Sequence, residues 1–132
     1  MASATGPFDV KLNLLETYAK DADAGLGRMS IDKQFRGDLE GTSKGEMLSV
    51  MSDVKGSAGY VAIERVSATL NGRSGSFVLQ HNATMNRGEP SLNIIVVPDS
   101  GSGELAGLSG TMRIIIADGK HSYEFDYALA PA

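Results

Sequence analysis

Between its glycines the chain alternates. Phe8, Val10, Leu12 and Leu14 are interleaved with Asp9, Lys11 and Asn13, and Met29, Ile31, Lys33 and Phe35 with Ser30, Asp32 and Gln34. An extended backbone sends successive side chains to opposite faces, so a period of two marks a strand with one face in a core. "GYVAIERVSATL", "SFVLQHNATM", "SLNIIVV", "TMRIIIA" and "HSYEFDYAL" follow, rich in β-branched and aromatic residues and bounded by Gly, Asn, Asp or Pro. "NGRSG" and "DGK" mark hairpin turns. Seven or eight strands with no interleaved helices predict an antiparallel barrel or sandwich.

The stretch "GDLEGTSKGEMLSVMSDV" is ambiguous. Met47, Val50, Met51 and Val54 have helical spacing, but Gly37, Gly41 and Gly45 weaken a helix. The preferred reading is a long bent strand with bulges to about Val50, then a loop; a short helix across 44–54 is the alternative.

Composition bounds the rest. A length of 132 residues, 42% hydrophobic and 21% charged, suits one soluble domain over 1–132. The net charge of −4, with Lys and Arg scattered, argues against a nucleic-acid partner. The absence of cysteine excludes disulfides and thiolate metal sites, and His81 and His121 have no ligand spacing with other groups, so no metal and no cofactor is expected. No apolar run approaches the roughly 20 residues of a membrane helix, and "MASATGPFDV" lacks the basic start and apolar centre of a signal peptide. A cytoplasmic protein with no membrane partner is the expectation.

"PDSGSGELAGLSG" follows the apolar run "LNIIVV" and imitates a dinucleotide-binding turn. That turn needs a crossover helix and a second parallel strand within about 30 residues. Here only "ELAGLSG" separates Gly103 from the strand starting near Thr111. The alternative is a closing loop in which Leu105 and Leu108 plug a barrel end and the glycines supply positive φ.

"GSGELAGLSG" resembles the G-x-G-x-[FL]-x-G-x-x-G loop of the allene oxide cyclase and dirigent superfamily. "LNGRSGSFVLQHNATM" and "GDLEGTSKGEML" are similar to segments of a bacterial family of uncharacterised proteins with the same barrel, which carries G-x-S-G-x-F-V-L-Q-H and G-x-G-E-L-x-G-L-x-G. The likeness runs from about Ile31 to Tyr127. It implies an all-β fold, an eight-stranded antiparallel barrel with a central hydrophobic cavity, allene oxide cyclase-like. Active relatives cyclise an epoxy fatty acid or steer radical coupling, but fold does not carry function with it.

Chemistry is sought on the lumen face. With "GRSG" as the hairpin loop, Glu64 stands opposite Ala83 and Val66 opposite His81. Glu64 and His81 are then diagonal neighbours roughly 6–8 Å apart. Desolvation is expected to raise the Glu64 pKa and lower that of His81, making an acid–base pair; the alternative is a structural polar cluster. Lys33 shares the apolar parity of its strand and is either a counter-charge for Glu64 or an edge lysine. The expected ligand-binding wall is Tyr60, Lys33, Phe77, Leu79, Met85, Met47, Met112, Phe125 and Tyr127. Methionines recur on it (Met29 and Met51 also), which suits an adaptable pocket.

Two function classes follow: binding of a small hydrophobic or amphipathic molecule, with cofactor-free isomerase or cyclase chemistry by Glu64 and His81, or a non-catalytic structural or interaction protein with a packed core. Ile63, Ile95, Val97 and Ile115 lie on the outward parity and are compatible with a homo-oligomer. If the glycine loop is structural, NAD or ATP leaves the melting temperature unchanged; a saturable rise of several degrees would restore the nucleotide reading.

Overall fold

The computed structural model describes residues 1–20 and 25–130. The strands are β1 (Ala2–Leu14), β2 (Leu26–Phe35), β3 (Leu39–Met51), β4 (Ala58–Leu70), β5 (Arg73–Asn86), β6 (Glu89–Val96), β7 (Ser102–Gly103), β8 (Leu108–Ala117) and β9 (Lys120–Leu129). No helix occurs among the described residues, so none is long and apolar enough to cross a membrane. Neighbours run β4-β3-β2-β1-β9-β8-β6-β5, all antiparallel, and β4 pairs with β5 to close an eight-stranded barrel; the two-residue β7 adds to β5. β1 belongs to two seams. Ala2–Phe8 pair with β9 and Phe8–Leu14 with β2.

β3 resolves the ambiguous stretch as one strand through Met51. Its pairing with β2 and β4 is unbroken, so the expected bulges are absent and the alternative helix over 44–54 does not form. Helical spacing lost because both flanking strands supply ladder hydrogen bonds and the glycines carry no helix propensity.

The first hairpin is tighter than expected. Leu70 faces Arg73, so Asn71 and Gly72 alone make the turn, both with positive φ (46° and 86°). This is the two-residue turn that Asn-Gly favours, because its twist matches that of the strands. Glu64 therefore stands opposite Leu79 and not Ala83, and His81 opposite Ala62 and not Val66. The displacement of four residues is even, so every side chain keeps its face. Asp118-Gly119 turns β8 into β9, and Arg87-Gly88 turns β5 into β6.

One end of the barrel is filled. Phe35, Leu39, Leu70, Phe77, Tyr123, Phe125 and Leu105 are almost wholly buried there. Phe77 stacks on Phe125, which stacks on Tyr127, at 5.8 and 5.4 Å between centroids. The Tyr123 hydroxyl donates to the Arg36 carbonyl (2.7 Å) and accepts from the Leu39 amide (2.8 Å), pinning the β2–β3 connection. The glycine loop closes this end. Leu105 and Leu108 are buried as expected. Gly103 and Gly107 take positive φ, but Gly101 does not. A Cβ on Gly101 would meet the Leu105 carbonyl oxygen at 2.0 Å, so close approach, not handedness, requires glycine there.

The other end is open. Leu12, Leu14, Met51, Met85, Leu92 and Ile116 keep the lumen parity of their strands yet are exposed, Leu14 to 80% and Ile116 to 66%. A lumen of eight strands can be filled by side chains or can hold one small ligand; here the two conditions divide it lengthwise. Leu105→Ala is expected to lower stability by about 2–5 kcal/mol, and Leu14→Ala to change it by no more than about 0.5 kcal/mol, measured by urea unfolding. Equal losses at the two positions would contradict the one-ended packing.

Candidate functional site

At the boundary between the halves lie the charged residues of the lumen. Glu64 on β4 is wholly buried, and Lys33 on β2 and His81 on β5 nearly so. One carboxylate oxygen, Glu64 Oε2, accepts from Lys33 Nζ and contacts His81 Nε2, each at 2.8 Å. The register explains the His81 contact. On the shared lumen face His81 is the diagonal neighbour of Glu64, across from Ala62, whose small side chain leaves the imidazole free to lean over.

The Lys33 contact is longer in sequence and in space, because β3 lies between β2 and β4. The lysine reaches over it at Ser43 and Gly45. Ser43 is paired with both Lys33 and Val66, and Gly45 with both Ile31 and Glu64. A Cβ at Gly45 would come within 2.6 Å of Glu64 Cα and 2.1 Å of the Ile63 carbonyl oxygen. β3 and β4 thus approach so closely at Gly45, beside Glu64, that no side chain fits there. Lys33 Nζ also lies 5.2 Å from the Phe8 ring centroid and 5.7 Å from that of Phe35, within range of cation–π attraction. β2 is an interior strand of a closed barrel, so the edge-lysine alternative fails.

The electrostatics overturn one expectation. Burial alone would raise the Glu64 pKa, but the His81 hydrogen bond and the Lys33 charge and hydrogen bond outweigh it, and the carboxyl is held below its ordinary value. Glu64 is therefore a carboxylate at neutral pH, not a proton-holding acid. Tyr60, half-buried beside the imidazole at 6.4 Å between ring centroids, has its pKa raised by burial and then by the Glu64 charge. Two buried polar atoms at this level have no protein partner: Glu64 Oε1 and Ser43 Oγ.

The ligand wall read from the sequence divides between the halves. Tyr60 and Met85 border an apolar cavity of about 400 Å³ at the open end, together with Met51, Ala58, Ala83, Leu92 and Ile116. Met47, paired with Met29 and Ala62, is half-buried on the same lumen face. Phe77, Leu79, Met112, Phe125 and Tyr127 belong to the packed core. Tyr127 is engaged there, its hydroxyl accepting from Asn71 Nδ2 at 2.7 Å. Ser43 and Gly45 were not assigned to the site from the sequence; their signal was a run of small residues, Gly41, Ser43, Gly45 and Ser49, on the lumen parity of a strand that also carries Leu39, Met47 and Met51 there. Ile63, Ile95 and Ile115 face outward, but the contiguous outer apolar patch is Leu48, Val61 and Ile63, with Leu48 directly paired to Val61.

No curated protein matches this chain. Among solved structures it is similar to a crystal structure of a DUF3224-family protein of unknown function from Shewanella oneidensis MR-1. The two are 56% identical over 100% of this chain and 99% of the other, with a TM-score of 0.95. The model of that family, described as a protein of unknown function, matches residues 4–127. The chain belongs to the DUF3224 family.

Proposed function

We propose that the protein binds a small hydrophobic or amphipathic molecule in the open half of its barrel, and that the Glu64–His81 pair supports cofactor-free proton transfer on it, as in an isomerase or cyclase, with His81 moving the proton and Glu64 as its ionised partner. The single observation that carries this reading is the one-ended lumen. Apolar side chains of lumen parity stand exposed around a cavity of about 400 Å³, lined in part by Tyr60 and Ala83, the next lumen positions along from Ala62 and His81; the Lys33–Glu64–His81 cluster lies buried outside that lining. A site of this kind, with apolar walls and a few convergent polar groups, has the size and make-up of a small-molecule pocket.

The rival reading, a packed structural barrel with an interaction surface, draws its support from the outer wall. Leu48, Val61 and Ile63 are each more than half exposed there and border a concavity of about 650 Å³. Such a patch suits self-association, and sedimentation of Ile63→Lys against the parent chain tests it: loss of an oligomer supports the reading, and a parent chain that is already monomeric removes it.

Ligand binding is tested by native mass spectrometry of the purified protein and by titration with a panel of lipophilic probes. One molecule per chain is expected. Met85→Glu, at the exposed rim, should weaken binding by about tenfold or more without lowering the melting temperature, because the ligand would have to desolvate the new charge. No binding across the panel would overturn the reading. Where turnover of a bound molecule is found, Glu64→Gln is expected to reduce it by about 10²–10⁴-fold with the fold intact; undiminished turnover would remove the pair from the chemistry.

A further inference from the structure

We infer that the reactive atom of the site is His81 Nδ1, and that Glu64 is a positioning residue that fixes the imidazole tautomer, itself held ionised by Lys33. The inference rests on the proton-transfer reading above and assigns its roles to particular atoms.

An ionised carboxylate only accepts hydrogen bonds. The contact between His81 Nε2 and Glu64 Oε2, 2.8 Å long, therefore requires a proton on Nε2 whether the ring is neutral or charged. The proton that a histidine gains and loses must then be the one on Nδ1. Glu64 cannot relax this demand by taking a proton itself. Lys33 Nζ sits 2.8 Å from the same oxygen and the carboxyl is held as the anion. Lys33 is in turn flanked by the Phe8 and Phe35 rings.

Nδ1 itself is not committed. Among the described residues it makes no hydrogen bond to the protein, and it is not one of the buried atoms left without a partner. Around the ring, Ala62 and Ile94 are its paired neighbours and Tyr60 its aromatic neighbour, whose phenol is kept protonated by burial and by the Glu64 charge. The arrangement is a base oriented by a third group, the logic of an activated dyad.

The chemistry that fits is proton relocation within one molecule. Nδ1 takes a proton from a C–H or O–H group of the bound molecule, and the electron pair of that bond stays on the molecule. The imidazolium so formed returns the proton to a second atom. Atoms and electrons balance without an oxidant or reductant.

The test needs no ligand. In ¹⁵N-labelled protein, long-range proton–nitrogen correlation spectra report which ring nitrogen carries the proton, and the chain has two histidines, so His121→Gln assigns the signals. At a pH where the ring is neutral, His81 is expected as the Nε2–H tautomer in excess by on the order of tenfold to a hundredfold, the bias that one charge-assisted hydrogen bond supplies. Lys33→Met should keep that tautomer, and Glu64→Gln should lose the bias, since an amide can donate as well as accept. An Nδ1–H form or an even mixture in the parent chain would overturn the inference, as would an unchanged bias in Glu64→Gln. Should Glu64→Gln not fold, the parent spectrum alone decides. A lumen that binds nothing would defeat the proposed function while leaving this result standing, so the two failures are distinguishable.

Discussion

The Glu64 carboxylate is the constraint around which the lumen is arranged. A charge buried among side chains of a barrel costs several kcal/mol unless it is paired and hydrogen-bonded. Here it is paired twice through one oxygen, by Lys33 from two strands away and by His81 from the adjacent strand. Ala62 keeps the position opposite His81 small, and Gly45 lets β3 come close to the Glu64 backbone. Replacing the three groups with hydrocarbons of similar volume would commonly be neutral or stabilising in a core. A costly charge kept in the lumen is what connects this physics to the proposed binding role.

The cluster also marks where packing stops. Towards the closed end the lumen is filled by stacked and edge-on aromatics, the Tyr123 hydroxyl and the Leu105 plug. Towards the open end the same alternation continues, but the apolar side chains have nothing opposite them. Exposing these groups forgoes burial worth roughly 1.5–3 kcal/mol for each large side chain, and the barrel carries that cost on one rim only. Rigid support below and an adaptable rim of Met51, Met85 and Leu92 above suit a pocket better than a sealed core does.

Much of this was legible in the residues. Period-two alternation placed Glu64, His81 and Lys33 on the lumen face before any pairing was known. That conclusion survived a wrong hairpin register because the error was even, and only an odd slip exchanges faces. The tighter turn was itself readable, since Asn71-Gly72 is the dipeptide that a two-residue hairpin favours. The direction of the Glu64 pKa was not. Burial alone argues for a raised value, and the reversal depends on Lys33 crossing β3, a contact between positions 31 residues apart. The close approach of β3 and β4 at Gly45 was hidden for a related reason: a small residue in a strand reads as a weakness until its neighbours on both sides are known.

The sequence alone therefore determined the strands, their inward and outward faces, the glycine-shaped closing loop and the membership of three ionisable residues in one lumen. These are local properties, written in alternation and turn chemistry. Tertiary structure alone decided that the end opposite the Leu105 plug is open and that one carboxylate oxygen serves both Lys33 and His81. Those depend on the stagger of eight strands around a closed ring, which brings together side chains that no short-range pattern relates.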